Sequence, residues 1–292
     1  MKKRNLISII LLIAIIGFIS IHFKGAPRKN IGLQLYSIRD SINKDLPKHV
    51  ASSLAKVGEM GYKFLELANY DNGKVYGMEP TAFKALCAKN GLKVLCSHVG
   101  QELPSKADMA QSLAWWDKCI DAHIATGAKF LVQPFLGEAA YRNLDTLKLY
   151  CDYFNKIGEK CNAKGIRFGY HNHDKEFSTK LDGNTIYDFM LANTDPKKVM
   201  FEMDLYWAVM GGAQPVAYFN KYPGRFELWH IKDKKEIGAD DFMSFDKIWA
   251  GAAKSGMKYG IVEVEEYNFD QFTSCKKSID FLNSAPYVVM PK

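Results

Sequence analysis

Between Ile166 and Glu265 the chain four times places two titratable or metal-ligand-type side chains two residues apart, each time at the close of an apolar run. The pairs are His171/His173 after Ile-Arg-Phe-Gly-Tyr, Glu202/Asp204 after Val-Met-Phe, His230/Lys232 after Phe-Glu-Leu-Trp, and Glu263/Glu265 after Tyr-Gly-Ile-Val. In a β-strand, residues i and i+2 point to one face, so each pair can aim at a single place. Four successive strands that deliver His, carboxylate, His and carboxylate to one point describe a divalent-metal site.

The candidate ligands are His171, Asp204, His230 and Glu263. Mixed imidazole and carboxylate ligation suits one Mn²⁺, Zn²⁺, Co²⁺ or Fe²⁺ better than Ca²⁺, which prefers oxygen alone. Within the pairs the choice stays open. His173 can replace His171, and Glu265 can replace Glu263 or act as the base. Glu202 can meet the substrate, support a ligand, or pair with a lysine inside the sheet. Lys232 shares a face with His230, so it is read as a donor to a developing oxyanion or a proton carrier. The Lys-Asp-Lys-Lys run beginning there also allows a plain surface lysine. Earlier apolar runs end on Gln34, Glu66, His98 and Gln133, polar groups able to hydrogen-bond a polyol. Tyr36, Tyr206 and Trp207 can stack on a sugar ring or simply pack.

Strands must position these groups, and strand-type runs recur about every 27 to 38 residues, the spacing of one βα unit. They are Ile31–Tyr36, Lys63–Leu67, Leu92–Ser97, Ala128–Gln133, Ile166–His171, Val199–Asp204, Phe226–Ile231 and Tyr259–Val264. Between them the apolar period is helical, as in Val50, Leu54, Val57 and Met60, with Asp45 and Pro47 as start signals. Leu144, Leu147, Cys151, Phe154, Ile157 and Cys161 form a second stripe. Eight βα units predict a closed (β/α)₈ TIM barrel in one domain over residues 31–292. The alternative, an open doubly wound sheet, lacks a Gly-x-Gly-x-x-Gly after its first strand. In such barrels function sits at the C-terminal ends of the strands, where all the paired residues fall.

Residues 1–30 stand apart. Lys2, Lys3 and Arg4 precede an apolar run from Leu6 to Ile21, which predicts a signal peptide or an uncleaved membrane anchor. The expectation is an exported protein, periplasmic or anchored facing the periplasm, with membrane contact only through residues 1–30. That segment holds six of the basic residues and no acid, so of the formal +7 only about +1 belongs to the remainder. Nucleic acid is therefore not an expected partner. The six cysteines do not suggest a disulfide framework: Cys151 and Cys161 share a helix, and Cys96 reads as a buried thiol. A single Cys87–Cys96 bridge stays open.

These residues resemble the xylose-isomerase-like barrel superfamily, often called sugar phosphate isomerase/epimerase. The matching stretches are Ile31-Gly-Leu-Gln-Leu-Tyr-Ser-Ile-Arg-Asp40, Phe64-Leu-Glu-Leu67, Gly169-Tyr-His-Asn-His-Asp174, Met203-Asp-Leu-Tyr-Trp207, Leu228-Trp-His-Ile-Lys-Asp233 and Ile261-Val-Glu-Val-Glu265. The resemblance implies one divalent metal on His171, Asp204, His230 and Glu263. It spans ketose epimerases, inosose dehydratases, hydroxypyruvate isomerases and an endonuclease branch. The chain departs from the epimerases at His171, where they carry one of two opposed glutamates. That disfavours two-base epimerisation and leaves one-base isomerisation or β-elimination.

The leading expectation is a metal-dependent enzyme that removes a proton α to a carbonyl of a sugar or polyol, with Glu263 or Glu265 as base and His173 next in line. A leaving group β to the carbanion would make it a dehydratase or 3-keto-glycoside lyase. A phosphodiesterase would need a more basic face, and a non-catalytic sugar-binding module would need no ligand set.

Overall fold

Strands and helices alternate at the predicted spacing in the computed structural model, which describes residues 28–291. The barrel strands are β1 (Ile31–Gln34), β2 (Phe64–Leu67), β3 (Lys93–His98), β4 (Phe130–Gln133), β5 (Arg167–His171), β6 (Val199–Asp204), β7 (Leu228–Lys232) and β8 (Tyr259–Glu263). Each runs parallel to its sequence neighbours, and β8 pairs with β1, so the barrel closes without an edge. The signal or anchor expectation falls on residues that lie, up to 27, outside the described part. Among the described residues no helix is long and apolar enough to cross a membrane.

The principal crossover helices are α1 (Val50–Met60), α2 (Pro80–Lys89), α3 (Met109–Thr126), α4 (Leu144–Ala163), α5 (Ile186–Asn193), α6 (Pro215–Lys221), α7 (Phe245–Trp249) and α8 (Gln271–Ser284). Val50, Leu54, Val57 and Met60 are buried, as their period requires. Gly61 ends α1 at φ 99°, a left-handed conformation that a side chain would strain. In α4, Asn143 caps the first turn by accepting from the Thr146 N–H at 2.8 Å.

Several predicted boundaries move. Helix α1 starts at Val50 rather than at Asp45 or Pro47, and its cap residue His49 makes no side-chain cap bond. The first strand stops at Gln34 because the chain turns into a short 3₁₀ segment, Leu35–Ile38, whose Tyr36 N–H donates to Gln34 Oε1. Phe226 precedes β7 instead of opening it. All six cysteines are buried free thiols, so the Cys87–Cys96 bridge is not formed.

Apolar side chains fill two regions. One lies between sheet and helices; the other plugs the lumen with Leu95, Cys96, Phe130, Val132, Met200, Leu228 and Ile261. The polar strand ends therefore rest on a dry floor. Pairing of β2 with β3 slips between Leu65 and Glu66, so Leu65 faces Val94 while Glu66 faces Cys96. A bulge of this kind re-aims side chains, here at the rim of the site.

Candidate active site

Strand register sets the height of each polar group. Glu202 lies level with His171, Asp204 with His230, and Lys232 with Glu263. Each i, i+2 pair thus becomes a deep and a shallow residue on one wall. Glu202 lies below Asp204 on its strand, and His230 lies below Lys232 on the next.

Ligand-type atoms of His171, Asp204, His230 and Glu263 all lie within 4.8 Å of one another. The four residues are buried. Asp204 divides its oxygens: Oδ1 accepts from the Trp207 N–H at 2.8 Å, capping the helix Leu205–Met210, while buried Oδ2 has no partner. A cation is what such an oxygen lacks, and the donor set suits a divalent transition metal. Burial pushes the Asp204 carboxyl up to about 7 despite nearby Lys232. Burial, reinforced by His230 and His98, drives His171 well down, toward the neutral imidazole that metals bind.

Lys232 is no surface residue. It is 2% exposed, with Nζ 3.1 Å from Glu263 Oε2 and 2.5 Å from Glu265 Oε2. Burial opposes its charge, but Glu263, Asp204 and Glu265 outweigh that and hold it above the usual lysine range. Burial likewise opposes the Glu263 charge, yet Lys232 and His230 hold its carboxyl well below the ordinary range. Lys232 also lies 5.5 Å from the Trp207 ring centre.

A cavity of about 330 Å³ opens above these groups, lined among others by Tyr36, His98, Phe135, His173, Glu263 and Glu265. His173 follows β5, its ring 6.0 Å from Trp207 and 5.1 Å from His171, and burial lowers its pKa. Its loop hangs on Glu176, which accepts from the His173 N–H at 2.9 Å, Tyr141 Oη at 2.6 Å and Tyr170 Oη at 2.5 Å. Glu176 is not among the residues expected from the sequence. Its only signal was a charged residue beside Phe177 in a short helical turn.

Of the residues expected to meet substrate, Tyr36 and His98 line the cavity and Trp207 flanks it. Gln34, Glu66, Gln133 and Glu202 have no exposed surface and bond to protein. Gln34 donates to Glu66 Oε2 at 2.8 Å, which also lies 2.5 Å from His230 Nε2. Glu202 Oε2 lies 2.7 Å from His98 Nε2 and 3.1 Å from His171 Nδ1. Gln133 donates to the Gln101 and Phe135 carbonyls, bracing the loops after β3 and β4. His230 thereby turns Nε2 to Glu66 and Nδ1 toward Glu263, 3.4 Å away, and Asp204, 3.9 Å away. A carboxylate on one ring nitrogen fixes the tautomer and frees the other for a metal.

Known proteins share this frame. Inosose dehydratase from Lacticaseibacillus casei is 26% identical over 235 residues, covering 74% of this chain and 75% of its own. A Parabacteroides distasonis ATCC 8503 crystal structure, named a sugar phosphate isomerase/epimerase, is 37% identical with TM-score 0.82, covering 89% of this chain and all of that one. D-allulose 3-epimerase from Methylomonas shares only the fold, at 13% identity and TM-score 0.67. The family model described as xylose isomerase-like TIM barrel matches residues 54–283, and the chain belongs to that family.

Proposed function

We propose that this barrel is a metal-dependent enzyme that removes a proton α to the carbonyl of a neutral sugar or polyol and completes the reaction by β-elimination. The observation that carries this reading is the stack of Asp204, Lys232, Glu263 and Glu265 under one cavity. His171, Asp204, His230 and Glu263 would hold the metal. When bound, it polarises a substrate carbonyl and stabilises the enediolate charge.

The protein's own groups divide the remaining work. Glu263 is buried against Lys232 and His230, as a ligand requires. Glu265 lies beyond β8, its side chain 29% exposed and lining the cavity, so it is the better base. Lys232, kept cationic between the two carboxylates, faces negative charge as it develops on the substrate oxygen. In a buried site such a charge acts far more strongly than in water. Trp207 offers an apolar wall. The proton gained by Glu265 can go to the oxygen leaving from the β carbon, which closes an elimination with one base. The relatedness to inosose dehydratases supports that outcome. The second reading, protonation of the neighbouring carbon by Glu265 after its proton exchanges with solvent, is isomerisation, and the Parabacteroides relative supports it.

The loop after β7, where barrels of this type often bind phosphate, supports a neutral substrate. Three of its amides are spent internally. Lys234 and Gly238 N–H groups donate to Asp233, and the Ile237 N–H donates to Ser278 Oγ. The test is a panel of neutral keto-polyols, keto-glycosides and ketose phosphates with the metal-loaded protein, followed by NMR. Loss of the α proton from a neutral member is expected; turnover confined to the phosphates would overturn the reading.

A further inference from the structure

We infer that the barrel holds a second cation directly beneath the first, on Glu66, Cys96, His98 and Glu202. The inference goes beyond the proposed reaction and rests on it only in giving the upper donors an ion of their own. Ligand-type atoms of Glu66, Cys96 and Glu202 lie within 4.8 Å of one another. His98 Nε2 lies 3.4 Å from Glu66 Oε2 and 2.7 Å from Glu202 Oε2. The donors come from β2, β3 and β6, and the slip in β2–β3 pairing sets Cys96 opposite Glu66. Cys96 and Glu202 sit two residues below His98 and Asp204 on their strands, which makes this a lower level.

The second, independent observation is a pair of orphaned oxygens. Glu66 Oε1 and Glu202 Oε1 are buried without any hydrogen-bond partner, on residues with no exposed surface. Native structures rarely leave such atoms unpaired. Among the described residues the ion pairs of these two carboxylates all run to imidazoles, His98, His171 and His230, and none to lysine or arginine. A divalent ion supplies the partner that these two buried oxygens lack.

The donor chemistry names the ion class. One thiol sulfur, one imidazole and two carboxylates suit Zn²⁺, Co²⁺ or Fe²⁺ and disfavour Mg²⁺ and Ca²⁺. Ligation releases the Cys96 proton, leaving thiolate on the metal. An entry path exists, since His98 lines the cavity with its side chain 12% exposed. In the competing arrangement Glu66 and Glu202 only orient histidines of a one-ion site, which leaves both Oε1 atoms unsatisfied.

The test loads the full chain with Co²⁺, desalts it, and measures cobalt per chain together with the near-ultraviolet spectrum. Two ions and a thiolate-to-cobalt charge-transfer band are expected. Glu202→Gln should bind one ion, Cys96→Ser should lose the band, and Asp204→Asn should bind one ion with the band intact. One ion in the wild type, lost in Asp204→Asn and kept in Glu202→Gln, overturns the lower site and leaves the upper one standing. No ion at all overturns both. Two ions without the band, or two ions in Glu202→Gln, overturn this donor set.

Discussion

Asp204 shows how one side chain serves both fold and chemistry. Its Oδ1 caps the helix Leu205–Met210, and its Oδ2 waits unpaired among ligand atoms. Asp204→Asn keeps an acceptor for the cap and removes the charge; Asp204→Ala removes both. Metal content should fall in both variants, whereas thermal unfolding should separate them, with Ala costing about 1 kcal/mol more. Glu265→Gln should lower kcat by roughly 10²–10⁴-fold with metal content unchanged, and Glu263→Gln should lose metal. If Glu265→Gln turns over normally, the base lies elsewhere, and His173 becomes the next group to replace. The i, i+2 pairing made the shared face of these residues readable from sequence. Depth was not readable, because it depends on register between strands. Glu66 therefore read as a substrate group and Glu202 as either a substrate group or a support for a ligand, although both bond to the histidines. Lys232 was ambiguous for a different reason: the basic residues after it suggested a surface that the barrel wall does not offer.

Among the elements, the strands were legible because eight apolar runs ending in polar residues recur at βα spacing. The bulge that sets Cys96 against Glu66 was not, since no residue type announces it. Glu176 was not legible because its role depends on Tyr141, from the segment after β4, meeting Tyr170 and His173 at the end of β5. Helix α3 carries another feature that only packing reveals. His123 is fully buried, its Nδ1–H donating to the Cys119 carbonyl at 2.8 Å and its Nε2 unpartnered. Burial pushes its pKa down to about 4. A folded value below the unfolded one, roughly 6.5, stabilises the fold above that unfolded value. The contribution is lost as pH falls from there toward the folded value, up to about 3 kcal/mol. Denaturant unfolding at pH 7 and pH 4.5 should therefore show a loss in the wild type that shrinks in His123→Leu. Equal losses in the two proteins would contradict the assignment.

At the scale of the whole molecule, formal charge misleads unless it is located. Six basic residues before Ile31 account for most of the +7, so the net charge of the remainder is close to neutral. The parallel strands place every N-terminal end, including the entry to β1, at the end of the barrel opposite the cavity. Lys29 fixes that entry by donating from its backbone N–H to Asn283 and from Nζ to the Leu282 and Ala285 carbonyls. Residues 28–30 thus enter β1 at the end of the barrel away from the cavity. What the barrel does in that cavity is tested most directly by running the metal-loaded protein on a neutral keto-polyol in D₂O. The account predicts that the α hydrogen is lost, with release of a β leaving group or with solvent deuterium entering at carbon, and that Glu265→Gln abolishes this. Product that retains its original α hydrogen would contradict it.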